Sequence, residues 1–95
     1  MRINNISISN YRGEEKSGYD RFGEPFRKRT AEILWMDEDG KRTNKVVASM
    51  SKQPLDEIDR RHIAAGQSFD ADICFSTSTG STGYLFTNIY INKIY

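Results

Sequence analysis

Between Arg21 and Arg29 the chain reads Arg-Phe-Gly-Glu-Pro-Phe-Arg-Lys-Arg, its densest interleaving of cations and aromatic rings. That mixture suits one kind of chemistry. Cationic side chains meet a phosphate backbone, while rings offer faces on which unpaired bases stack, at about 1–3 kcal/mol per base. Arg21, Phe22, Phe26, Arg27, Lys28 and Arg29 are the candidates in this stretch. Lys41, Arg42 and Lys45 follow on the partner strand of the same expected hairpin, so the two clusters are expected to form one basic stripe. The plainer reading is a solvated hairpin edge, where lysine and arginine discourage strand-to-strand association. A net charge of only +1 gives that reading weight.

Tyr84, Phe86 and Tyr90 fall on the expected outer face of the last strand. Three exposed rings on one strand mark a contact site, with stacked bases or a second copy of the chain as occupant. A one-residue slip of register would instead turn them into the core. Tyr11 and Tyr19 lie in a polar stretch with little core to join, which makes them stacking candidates or ordinary loop packing. Trp35 follows Ala31 and Ile33 at period two and reads as core.

No catalytic constellation emerges. His62 is the only histidine and Cys74 the only cysteine, too few for a metal set. Cys74 has no evident base near it in sequence. Asp37-Glu38-Asp39 lacks the spaced ligands of a calcium loop and reads as a solvated turn. The Gly80–Gly83 turn precedes a strand and lacks the lysine of a phosphate loop. A binding protein rather than an enzyme is expected, with no catalytic residues, metal or cofactor.

These residues need elements to hold them. Ninety-five residues suit a single domain over 1–95, and 37% apolar with 12% aromatic residues is enough for one core. Period-two alternation predicts strands over 3–9, 26–36, 42–50, 68–77 and 84–94. Asp39-Gly40 marks a hairpin between the second and third. Ala31, Ile33 and Trp35 are expected inside, as are Val46, Ala48 and Met50, then Phe69, Ala71, Ile73 and Phe75, and finally Leu85, Ile89 and Ile91. Residues 10–25 carry no face to bury and are expected to form a long flexible loop or a mobile hairpin tip, a candidate contact region. One helix is expected over 54–65. Pro54 sits in its first turn, Leu55, Ile58, His62 and Ala65 form its apolar stripe, and Gly66 lies just past its end. A single cysteine points to a reducing, cytoplasmic compartment. The absence of a signal-like run or a long apolar segment argues against a membrane protein.

Strand, strand, strand, helix, strand, strand is the order of the OB-fold, so the expected class is mostly β: a five-stranded OB-like Greek-key barrel with its helix between strands three and four. Residues 46–75, from Val46-Val-Ala-Ser-Met50 through the helix to Gly66-Gln-Ser-Phe-Asp-Ala-Asp-Ile-Cys-Phe75, resemble the second half of OB-type single-stranded DNA-binding proteins. Tyr84-Leu-Phe-Thr-Asn-Ile-Tyr-Ile-Asn-Lys-Ile94 is similar to their closing strand, and Gly23-Glu-Pro-Phe-Arg27 to the turn leading into their second. The likeness lies in the arrangement of residue types, not in a signature motif. The longer acidic tail usual in that family is not read here, so a phage- or plasmid-type replication variant, or another function altogether, is expected. The resemblance implies binding of single-stranded DNA or RNA, DNA first, with little sequence preference, and dimerisation is a natural accompaniment. The rival expectation is a small protein-binding module, such as a phage-borne inhibitor of a host enzyme or an assembly subunit.

Overall fold

The computed structural model describes the chain except Glu38, Arg42, Gly80, Thr82 and Tyr84, together with the side chains of Leu85 and Phe86. Its elements are β1 (Arg2–Tyr19), β2 (Pro25–Met36), β3 (Thr43–Met50), α1 (Lys52–Arg61), β4 (Phe69–Thr79) and β5 (Leu85–Ile94). The strands pair in the order β1-β2-β3-β5-β4, and β4 returns to β1 to close a barrel. All ladders are antiparallel except β3–β5, a short parallel seam pairing Ser49 with Tyr90 and Met50 with Ile91. Five strands in this order with one helix between the third and fourth make an OB-fold. Among the described residues no helix is long and apolar enough to cross a membrane.

Alternation fills the barrel. Ile6, Ile8, Ala31, Ile33, Ala48, Met50, Phe69, Ala71, Ile73, Ile91 and Ile94 are buried in one cluster, with Leu55 and Ile58 of α1 capping it. Trp35, Val46 and Ile89 pack at its margin. Phase along a strand changes only at bulges. Between Ile3 and Ile6 the β1–β4 register shifts, and Asn5 takes the left-handed conformation (φ 55°) while its N–H donates to Asp70 Oδ1 at 3.0 Å. Asparagine is among the few side chains that accept this conformation readily. A second shift, between Asp72 and Ile73, lets both Ile91 and Ile94 reach the core.

Three expectations need correction. Residues 10–25 are not a long loop. β1 continues to Tyr19, pairs with β2 through Tyr19↔Pro25, and leaves only Asp20–Glu24 as the turn. Asp20 builds that turn, its Oδ1 accepting from the N–H groups of Phe22 and Glu24. Beyond Arg29, where β3 stops pairing, β1 and β2 form a two-stranded arm.

The helix is Lys52–Arg61, not 54–65, because His62 adopts the left-handed conformation and its N–H turns back to Asp59 O. His62 and Ala65 are exposed, and Gly66 (φ 86°) serves a later turn, donating to Ile8 O at 2.9 Å. Phe75 is exposed rather than core, since β4 and β5 run on past the barrel as a ribbon.

Candidate nucleic-acid interface

The arm has two faces with different work. Cross-strand partners share a face, so Gly18 and Phe26 lie on one side with Lys16 and Lys28, while Ser17 and Arg27 lie on the other.

The inner face is tied to α1. Arg27 donates from Nε and Nη2 to both carboxylate oxygens of Glu15 (3.0 and 2.6 Å), and from Nη1 to Asp56 Oδ1 at 2.8 Å. Asp59 Oδ2 is also 2.8 Å from Nη1. Three carboxylates therefore meet this cation and tie the arm to the helix, and a phosphate at Arg27 would have to compete with them. The bond from Arg27 holds the Glu15 carboxyl below the usual range. Asp56 is lowered first by Lys52 and then by Arg27. Two residues on, Arg29 stacks its guanidinium 3.9 Å from the centroid of Tyr11. Tyr11 is thus half-buried against the core rather than a free stacking ring, and burial raises its hydroxyl pKa.

The outer face opens onto a groove of about 290 Å³ between the start of β2, the end of β3 and β5. Phe26, Lys28, Ser49, Ser51, Tyr90 and Asn92 contribute to its lining. Phe26 and Tyr90 are 42% and 37% exposed, so each shows a usable ring surface. Gly18 lets the Phe26 ring lie close over β1, because a Cβ there would sit 3.3 Å from Phe26 Cε1. Lys28 has no ion-pair partner among the described residues. At the tip, Tyr19 and Phe22 are each 76% exposed, with the Arg21 guanidinium 4.9 Å from the Phe22 centroid.

Among the described residues the expected single basic stripe does not form. β2 and β3 are antiparallel, so Arg29 pairs with Met50, whereas Lys45 pairs with Leu34 and Lys41 lies in the turn at the far end of the hairpin. Lys41 is exposed. Lys45 reaches Glu32 Oε1 at 3.3 Å, joining Ser9 (2.7 Å) and Arg12 (2.9 Å) around that buried carboxylate. Arg42 and Tyr84 lie outside the described residues, as does the Phe86 side chain. Lys16, Ser49 and Asn92 went unnoticed in the sequence. Lys16 was hidden because its stretch read as a loop and had no cross-strand partner.

A larger cleft, about 530 Å³, lies between Met1–Asn5 and Trp35–Asp37. Its one arginine, Arg2, is already committed to Asp70 at 3.2 Å and to the Tyr95 ring at 4.3 Å. The smaller groove pairs bare rings with an unspent cation and is the better candidate.

Glu32 gives the site's scaffold a pH dependence. Ser9 first, then Arg12 and Lys45, hold its carboxyl at about 2. Glu57, Asp70 and Asp72 are lowered as well, by Arg60, by the Asn5 N–H and by the N-terminal ammonium respectively. Groups lowered in the folded state contribute stability that is fully present above the unfolded carboxyl range, roughly pH 4–4.5, and lost as pH falls through the folded values. The thermal midpoint is therefore expected to stay flat from about pH 7 to 5 and to fall steadily towards pH 2. Glu32→Gln is expected to lower the midpoint at neutral pH and flatten the acid limb. Parallel acid limbs for both proteins, followed by circular dichroism, would refute the assignment.

No protein-family model matches the sequence. No curated protein matches it either. Solved structures do match. The mitochondrial single-stranded DNA-binding protein Rim1 of S. cerevisiae superposes with a TM-score of 0.51 at 12% identity, over 97% of this chain and 87% of that one. The small single-stranded DNA-binding protein of Streptomyces coelicolor gives 0.50 at 14% identity, again over 97% and 87%. At such low identity the likeness is one of architecture: this chain shares the OB-fold of those two proteins along nearly its whole length.

Proposed function

We propose that this chain binds single-stranded nucleic acid, DNA ahead of RNA, with little sequence preference, in the groove between the arm and the β3–β5 seam. The observation that carries the reading is the meeting of Phe26, Lys28 and Tyr90, from β2 and β5, around one apolar groove. Two rings and an unneutralised cation are what a base-stacking, backbone-tracking site requires. Besides Arg27 and Lys28, the polar groups of the groove are serine hydroxyls and an asparagine amide, each both donor and acceptor, which suit any base edge rather than one. DNA is placed first because both proteins of matching fold are named for single-stranded DNA binding. Arg29 on Tyr11 borders the arm's base, and Arg21 with Phe22 extends the surface to its tip. One groove is short, so a dimer would place two on one strand and raise the effective concentration of the second.

Fluorescence anisotropy with labelled oligo-dT at two salt concentrations, against a matched duplex, tests the reading. Binding at micromolar strength or tighter, weaker for duplex and weakened by salt, is the expected result. No binding at low salt would overturn it. The rings at the arm tip, 76% exposed, favour a second reading in which the chain docks on a protein. Binding to such a partner would resist salt, because an apolar interface is little screened.

A further inference from the structure

The arm carries an arrangement of charge that folding alone does not account for. Lys16 and Lys28 are direct cross-strand partners, so their side chains leave the ribbon on the same face. Like charges set directly opposite one another weaken a sheet. Here no neighbouring acid pairs with them: Glu14 and Glu24 make no ion pair with either lysine among the described residues. Glu15 is held by Arg27 on the opposite face, and Asp20 accepts the N–H groups of its own turn. Neither lysine has an ion-pair partner among the described residues. Two positions along the ribbon, about 6.6 Å away, the same face carries Phe26, lying over Gly18 at the mouth of the groove.

Resting on the single-strand reading above, we propose that Lys16 and Lys28 form a phosphate clip: both ammonium groups take one backbone phosphate next to the nucleotide whose base stacks on Phe26. Charge favours this ligand class over a neutral or cationic one. A phosphate seated between them relieves the repulsion, and two flexible ammonium groups accept it at many angles without reading sequence. Gly18 is part of the device, because its missing side chain brings the ring down to the level of the lysine stems.

The test has two arms. In the first, oligo-dT affinity is measured against salt for the parent, Lys16→Gln, Lys28→Gln and the double variant. A clip that shares one phosphate predicts that each single variant loses affinity about threefold or more. It also predicts that the double loses less than the product, and that the salt slope falls by about 0.7 for the single phosphate removed. Independent losses, with the slope falling by about 0.7 for each lysine, would overturn the shared clip, as would unchanged affinity in Lys16→Gln. The second arm uses inorganic tripolyphosphate, which has no bases. Amide shifts in a two-dimensional NMR spectrum are expected at Lys16 and Lys28 in the parent and absent in Lys16→Gln. Should oligo-dT fail to bind while tripolyphosphate moves those amides, the single-strand reading falls and the anion clip stands. Should tripolyphosphate leave them in place, the clip itself is refuted.

Discussion

Replacing Phe26 and Tyr90 together with alanine is expected to weaken oligo-dT binding by about 100-fold or more, with each single variant losing roughly tenfold. The magnitude follows from stacking at about 1–3 kcal/mol per base, taken at its lower half because each ring is already partly covered by its own protein. The rings come from different strands, Phe26 from the arm and Tyr90 from the β3–β5 seam, and both border one groove. Two adjacent bases engaging one ring each would make the losses multiply, while one base held between the rings would make the second loss smaller. The charges are untouched, so the salt slope should match the parent. That separates these variants from the lysine variants, whose losses are electrostatic. Both rings are more than a third exposed, so the fold should survive, with the thermal midpoint lowered by only a few degrees. Parent-like affinity in the double variant would mean that the groove is not where the strand lies.

Much of the barrel was legible because burial writes itself into period-two alternation. Ala31 and Ile33, Ala48 and Met50, and Phe69, Ala71 and Ile73 all face inward as their spacing predicts. The arm was not legible for the same reason. Most of the ribbon lies outside the barrel and carries polar residues on both faces, so residues 10–19 show no apolar rhythm although they pair with β2 on either side of a register shift between Arg12 and Lys16. Its signal was turn chemistry instead: Asp20 and Gly23, between Tyr19 and Pro25, fix the turn from which the register of the whole arm follows. The same counting, applied to the Asp37–Gly40 turn, puts Lys45 opposite Leu34 and far from Arg27, so the single basic stripe was excluded by hairpin geometry. Other outcomes depend on tertiary placement that no local pattern encodes. Which cations are neutralised is one of them: Arg27 meets three carboxylates because α1 packs beneath the arm, whereas Lys28, one residue on, faces the other way and keeps its charge. The early end of α1 at His62 is another, since histidine carries no strong stop signal and the expected one was Gly66.

Arg27→Ala should be the most destabilising of the charge-removing substitutions, costing about 2 kcal/mol of folding stability. The Glu15 bond is bidentate and both partners are less than a third exposed, which places it among the stronger charge-assisted pairs, roughly 1.5–3 kcal/mol. Asp56 and Asp59 are more exposed, at 42% and 65%, and solvent screening leaves them little to add. Removing the guanidinium also leaves Glu15, Asp56 and Asp59 converging without a central cation, a repulsion that Lys52 relieves only at Asp56. Urea denaturation is expected to show a lower midpoint at an unchanged slope, since the surface exposed on unfolding is the same. The effect should shrink below about pH 4, where the orphaned carboxylates protonate. A phosphate-binding Arg27 would behave otherwise. Its loss would leave stability near the parent's and reduce the salt slope of oligo-dT binding by about 0.7. The two measurements therefore divide the roles cleanly. A lower denaturation midpoint with the parent's salt slope makes Arg27 the clamp that sets the arm against the helix. A parental midpoint with a reduced slope returns it to the list of phosphate ligands and removes the clamp.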